Sequence, residues 1–213
     1  MTVNAGPVAA ERAYAHTKAQ IISGGLAGGQ LVSEAKIGAE LGISRTPVHE
    51  AFLRLDAEQL IELVSRRGAI IRPMTPSEAT DVLAMRQGIE SASAAQTFAA
   101  GGPDAEITRR IEENLRQQEA AVGAGDVAAF VDADDDFHAL LIEASRNPLA
   151  RQFYEQLRGR QQRLRTMYLR IDPGNLAASY ADHRTLADCF VRGDRDGFTA
   201  ALVAHLERYQ GAI

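Results

Sequence analysis

Arg45, Thr46 and His49 fall within one turn of each other and carry groups that hydrogen-bond the edges of nucleic-acid bases. An arginine fork grips guanine through two bonds, while a neutral imidazole offers one donor and one acceptor. That chemistry needs a helix to aim it, and the surrounding residues supply one. The run from Leu41 to Leu55, Leu41-Gly42-Ile43-Ser44-Arg45-Thr46-Pro47-Val48-His49-Glu50-Ala51-Phe52-Leu53-Arg54-Leu55, reads as the turn and second helix of a helix-turn-helix. Gly42 supplies the bend. Ser44 is placed as N-cap, with a hydroxyl able to bond a backbone N–H of the first turn. Pro47 sits where a missing N–H costs little. Val48, Ala51, Phe52 and Leu55 form an inward stripe at helical spacing. Arg45, Thr46 and His49 are left at the N-terminal end, the part of a recognition helix that meets the major groove.

The flanks extend the pattern. Ser33 caps a short helix running to Leu41. Leu60 to Ser65 and Ala69 to Arg72 are apolar runs around Ser65-Arg66-Arg67-Gly68, a hairpin with a basic tip that reads as the wing of a winged helix.

Beyond Arg72 no strand pattern appears. Thr75-Pro76-Ser77-Glu78 starts a helix to about Ala100, with Thr75 as cap. Further helices are expected over about Asp104–Val122, from Asp126 to about Ser145, from Asn147-Pro148 to about Arg170, from a cap at Asn175 to about Arg192, and from Gly193-Asp194 to near the C-terminus. Short connections favour an antiparallel bundle. The third of these helices carries Asp132, Asp134, Asp135 and Asp136. An acidic run on a helix is usually a solvated face. Asp134 and His138, however, are four apart and point the same way. His183 and His205 lie on later helices, His205 on a mostly apolar face. Taken alone, each histidine reads more readily as a core or surface residue than as a ligand.

The chain has 213 residues and a net charge of −5. Residues 1–74 hold eight Lys/Arg against seven Asp/Glu, so the acidic surplus lies outside the proposed DNA-binding part. A weakly basic domain implies modest nonspecific affinity and reliance on a dimer bound to two half-sites. Cys189 is the lone cysteine, so no disulfide forms within the chain. No apolar run spans a bilayer, and the first ten residues lack a signal-peptide layout. These features point to a cytoplasmic protein without a membrane partner.

The string Ser44-Arg45-Thr46-Pro47-Val48, with the helix before it and the basic wing after it, resembles the GntR family of bacterial transcription regulators over roughly Tyr14 to Met74. The family usually has arginine where this chain has His49, and glycine where it has Gln59. The later strings are similar to the C-terminal ligand-binding domain of the FadR subgroup: Arg86-x-x-x-Glu90, then Asp134-Asp135-Asp136-Phe137-His138-Ala139-Leu140 with Asn147-Pro148, then His183-Arg184-Thr185-Leu186, then His205-Leu206.

That resemblance implies a mainly α protein. Residues 1–74 would be a winged helix-turn-helix and residues 75–213 an all-α antiparallel bundle for effector binding and dimerisation. It also implies a homodimeric, non-enzymatic regulator on double-stranded operator DNA, a repressor released by a small organic acid. Ser33, Ser44, Arg45, Thr46, His49, Arg66, Arg67 and Gly68 would meet DNA. Asp134, His138, His183 and His205 would hold one divalent ion. A carboxylate with three imidazoles suits a transition metal such as zinc or nickel. Arg86 is the candidate to pair the effector's carboxylate, and it reads almost equally as a partner in an inter-helix or dimer salt bridge. The alternative is a metal-dependent hydrolase using the same Asp/His3 centre.

Overall fold

The computed structural model describes residues 5–65, 67–172 and 174–210. It divides into two compact units, Met1–Met74 and Thr75–Ile213. Among the described residues, the first unit holds helices α1 (Ala5–Ile22), α2 (Glu34–Leu41) and α3 (Arg45–Ala57). It also holds strands β1 (Leu31–Val32), β2 (Ile61–Val64) and β3 (Gly68–Ile71). The second unit holds α4 (Pro76–Ala99), α5 (Ala105–Ala124), α6 (Val127–Glu143), α7 (Pro148–Ile171), α8 (Gly174–Arg192) and α9 (Arg195–Gln210). This is a mainly α protein with a small winged sheet, as expected.

Local chemistry sets the helix-turn-helix. The Ser33 hydroxyl accepts from the Lys36 N–H at 3.1 Å and starts α2. Gly42 ends α2 at φ 67°, a left-handed conformation that glycine enters without a Cβ clash. The stripe Val48, Ala51, Phe52 and Leu55 is fully buried, packed with Ile37, Leu60, Ile61, Ala69 and Ile71. The sheet order is β1-β3-β2, antiparallel throughout, with Val64 opposite Gly68 and Ile61 opposite Ile71. A Cβ at Gly68 would lie 2.2 Å from the Val32 carbonyl oxygen, so only glycine lets the wing approach β1.

Two expectations need correction. Ser44 has cap geometry, but its side chain makes no cap hydrogen bond. Asn175 is not the cap of α8, which begins at Gly174. Its side-chain amide instead donates to the Tyr168 carbonyl at 2.9 Å, tying α8 back to α7. The main-chain N–H groups of Gly174 and Asn175 are satisfied by Asp172.

Two elements were not read from the sequence. One is β1. The other is α1, which packs on α3. There Lys18 pairs with Glu58 at 2.8 Å, Arg54 pairs with Glu11 at 2.7 Å, and the Arg54 guanidinium lies over the Tyr14 ring at 3.8 Å. These pairs use two of the cations counted above.

In the second unit the helix starts follow their caps. The side chains of Thr75, Asp104, Asp126 and Asn147 each accept a main-chain N–H of the first turn. The connections are short. Helix α4 packs on α6, α7 and α9, and α5 packs on α6 and α8. No helix among the described residues is long and apolar enough to cross a membrane.

Candidate functional site

In the first unit, Ser33, Arg45, His49, Arg67 and Gly68 line one concave surface between the start of α2, the start of α3 and the wing. Ser44 and Thr46 are exposed beside Arg45 and outside that lining. Arg66 lies outside the described residues. The His49 ring is not free: its Nδ1 meets the Glu34 carboxylate at 2.7 Å. A carboxylate only accepts, so Nδ1 carries the proton and Nε2 is the nitrogen left to face a base. Gly68 has a packing reason for its identity, given above.

In the second unit the bundle brings one carboxylate and three imidazoles together. Asp134 and His138 come from adjacent turns of α6, His183 from α8 and His205 from α9. One ligand atom from each lies within 4.8 Å of the others, and all four residues are fully buried. The acidic run is therefore split by the helix. Asp132 and Asp136 face solvent, and Asp134 and Asp135 face inward.

Each imidazole is oriented from behind. His138 Nδ1 meets Glu90 at 2.8 Å, His183 Nδ1 meets the Gln118 oxygen at 2.6 Å, and His205 Nδ1 meets Asp182 at 3.4 Å. With Nδ1 spent on an acceptor, each Nε2 turns its lone pair to the interior, where that of His205 also meets Arg86 Nη2 at 3.4 Å. The Nε2 atoms of His138 and His183 are 3.3 Å apart. Burial holds all three rings well toward the neutral form, His183 down to about 3. Burial also works against the charged form of Asp134. The Arg165 guanidinium and other positive groups outweigh it and hold that carboxyl below its ordinary range.

Neither Asp134 oxygen has a hydrogen bond. Arg165 Nε makes a close ion-pair contact with Oδ1. Oδ2 lies 3.5 Å from His183 Nε2. Oδ1 already meets the Arg165 cation, but Oδ2, buried without a hydrogen bond and facing converging imidazole lone pairs, is an electron-rich group that a further cation satisfies. One ion at about 2.0–2.2 Å from each donor holds its ligands about 3–4 Å apart, so small side-chain shifts suffice here. The donor set fits a divalent transition metal.

Arg86 is buried at the edge of this cluster. Its Nε donates to Glu90 at 2.7 Å, and its Nη2 lies 3.4 Å from His205 Nε2. It thus supports the carboxylate that orients His138 and also faces the centre. The residues not singled out in the sequence are the supporting ones: Asn114, Gln118, Asp182 and Arg165. Their signal is weak: a buried polar residue on α5 or in the Arg/Gln-rich α7, and for Asp182 a half-buried acid beside His183 on α8. Asp135 and Arg165 belong to a second buried network, in which Arg165 Nη1 donates to Asp135 at 3.0 Å beside Tyr154 and Arg158.

A wing beside a helix-turn-helix, on a chain that continues into a helical bundle with a polar centre, defines a DNA-binding transcription regulator with a ligand-binding domain. Comparison with known proteins gives the family. Residues 9–71 match the bacterial regulatory proteins of the gntR family, and residues 81–208 match the FCD domain. The chain belongs to the gntR family of bacterial regulators, in the FadR-like subgroup with an FCD domain at its C-terminal side. It is 27% identical over 189 residues to the HTH-type transcriptional repressor RspR of Escherichia coli K12, covering 88% of this chain and 81% of that one. It is 28% identical over 190 residues to a probable D-xylose utilization operon transcriptional repressor of Paenarthrobacter nicotinovorans, covering 89% and 82%. Its fold matches the solved E. coli McbR/YncC, with a TM-score of 0.80, 20% identity and 94% of each chain covered. The first two relatives are named as transcriptional repressors, and nothing supports the hydrolase alternative.

Proposed function

We propose that this chain is a homodimeric, cytoplasmic repressor whose grip on operator DNA responds to a small organic acid bound at a transition-metal centre, zinc or nickel. The observation that carries the reading is the convergence of Asp134, His138, His183 and His205, with Arg86 facing the same centre. The three histidines and Asp134 would hold the ion, which supplies a Lewis-acidic position for an anionic ligand. Arg86 would pair the ligand's carboxylate, with Arg165 as a second buried cation on the Asp134 side. Ser33, Ser44, Arg45, Thr46, His49, Arg66, Arg67 and Gly68 are the residues proposed at the DNA.

The repressor sign is supported by the two relatives named as repressors. Leu149 and Phe153, exposed four residues apart on α7, are available for a subunit contact. Ligand and operator would act on one equilibrium between DNA-competent and incompetent arrangements.

The test begins with duplexes selected from a random library. Their retardation is measured with zinc or nickel, with and without a panel of sugar acids, keto acids and dicarboxylates. Release by one acid class that disappears on chelation, or in Arg86→Ala, is the expected result. Release that survives chelation refutes the metal-centred mechanism.

A further inference from the structure

An imidazole binds a metal through whichever ring nitrogen lacks the proton, so an orienting partner is part of the site. For His138 and His205 that partner is a carboxylate, which accepts and nothing else. For His183 it is Gln118, an amide that presents either an oxygen or an NH2 group. Something must decide which.

Gln118 and Asn114 lie one turn apart on α5 and are both buried. The Asn114 amide nitrogen donates to the Ala133 main-chain carbonyl at 2.8 Å. A carbonyl has no proton to give, so the Asn114 nitrogen must face it, and the Asn114 oxygen must turn the other way. That oxygen accepts from Gln118 Nε2 at 2.7 Å. Gln118 Nε2 is then committed, and its oxygen faces His183 Nδ1 at 2.6 Å. An amide oxygen only accepts, so Nδ1 holds the ring proton. Nε2 is left unprotonated, 3.5 Å from Asp134 Oδ2 and 3.3 Å from His138 Nε2. Reversing any one link sets two acceptors or two donors against each other among buried side chains, at the cost of a buried unsatisfied pair.

We infer that Asn114 and Gln118 form a one-way hydrogen-bond relay, anchored on the Ala133 carbonyl, that fixes which nitrogen of His183 faces the Asp/His centre. Both are positioning residues, and Asn114 acts without touching the centre at all. The consequence is that α5, which contributes no ligand, decides whether α8 can contribute one. The inference rests on the metal reading above for its purpose, though the tautomer it assigns can be observed without a metal.

The experiment uses the full chain with 15N-labelled histidine. Long-range proton–nitrogen spectra of the chelator-treated protein report the tautomer of each ring. Affinities for Ni(II) and Zn(II) are then measured by competition, and the Co(II) absorption spectrum by titration. In the wild type, His183 should be the Nδ1–H form. Gln118→Met, close in shape but without an acceptor of that strength, should weaken metal binding about 10–100-fold. Asn114→Ala leaves Gln118 free to flip; it should give mixed tautomers at His183, a smaller loss of affinity and an altered Co(II) spectrum. Glu90 and Asp182 are untouched in both variants, so His138 and His205 should keep their Nδ1–H tautomers.

An Nε2–H tautomer in the wild type overturns the relay. So does an unchanged tautomer and affinity in Asn114→Ala. If Gln118→Met does not fold, the wild-type spectrum and Asn114→Ala decide. A wild type that binds no metal but shows the Nδ1–H tautomer, lost in Asn114→Ala, refutes the metal reading and leaves the relay standing.

Discussion

Removing metal from the second unit should lower its melting temperature by about 10 °C, and the structure says which variants should abolish that response. The centre links α6, α8 and α9 through side chains that are otherwise held only by packing and the supporting hydrogen bonds. A ligand that binds only the folded state adds RT ln(1 + [L]/Kd), about 2.7 kcal/mol at a hundredfold excess over Kd. For a unit the size of Thr75–Ile213, each kcal/mol moves the melting temperature by about 3–5 °C. Scanning calorimetry on the whole chain, with EDTA and then with zinc or nickel restored, reads the shift. The transition of Met1–Met74 serves as the internal control.

His183→Ala and Asp134→Asn should both lose the metal response, but for different reasons. His183 stacks on Phe137 with ring centroids 4.7 Å apart, so its removal costs packing and one ligand. Asp134→Asn also takes a charge from beside the buried Arg165, which keeps Asp135 as its partner, and should destabilise the chelated protein by less than the about 3–5 kcal/mol of stranding a buried charge. A melting temperature indifferent to EDTA and to added metal, together with elemental analysis near zero, refutes the centre and the effector mechanism built on it. The DNA-binding assignment would stand, because it rests on other residues.

Arg45→Ala should weaken specific binding by about 1–3 kcal/mol and relax selectivity at one base position, whereas Arg67→Ala on the wing should weaken all duplexes alike; retardation on a substituted operator series separates the two. His49→Arg should tighten binding to guanine-containing half-sites, with Glu34 now holding the guanidinium as it holds the imidazole; no gain on any such duplex would place position 49 off the groove. Gln59 adopts φ 61° just after α3, where glycine is free of Cβ strain, so Gln59→Gly should stabilise the first unit by about 0.5–1 kcal/mol in a urea melt, after allowing for glycine's extra freedom in the unfolded chain. Without metal, stability should be full above about pH 6.5 and fall as pH drops toward 3. The unfolded chain takes up a proton at His183 in that window while the folded ring, pushed down to about 3 by burial, does not; the slope is about 1.4 kcal/mol per pH unit for that residue. A flat urea midpoint between pH 7 and 5 would contradict the burial of these rings.

What the sequence made legible is what local chemistry decides. Ser33, Gly42, Thr75, Asp104, Asp126 and Asn147 mark helix ends because each satisfies a backbone group within four residues of itself. The inward stripe of α3 is equally local, a matter of period. Helix α1 escaped because its reasons are distant: Tyr14 and Lys18 meet Glu58, forty and more residues away. The four candidate ligands share no local signature beyond the spacing of Asp134 and His138, and only the family likeness drew His183 and His205 to them.

The supporting residues were hidden more deeply. Asn114 and Gln118 look like any polar pair on an amphipathic helix until α6 supplies a carbonyl on one side and α8 an imidazole on the other. Yet they follow from one rule. A buried polar group must find a partner, and here each partner found is itself polar and buried: Arg86 on Glu90, Glu90 on His138, Asn114 on Gln118, Gln118 on His183. Such a network offers little to stability that well-packed apolar side chains would not offer too. What it fixes is direction. Three Nε2 lone pairs and a carboxylate end up facing one another; Arg165 lies against the carboxylate and Arg86 against His205, while the His138 and His183 lone pairs, 3.3 Å apart, repel each other until a further cation lies between them. That is the physical argument for reading the centre of this bundle as a binding site rather than as a core.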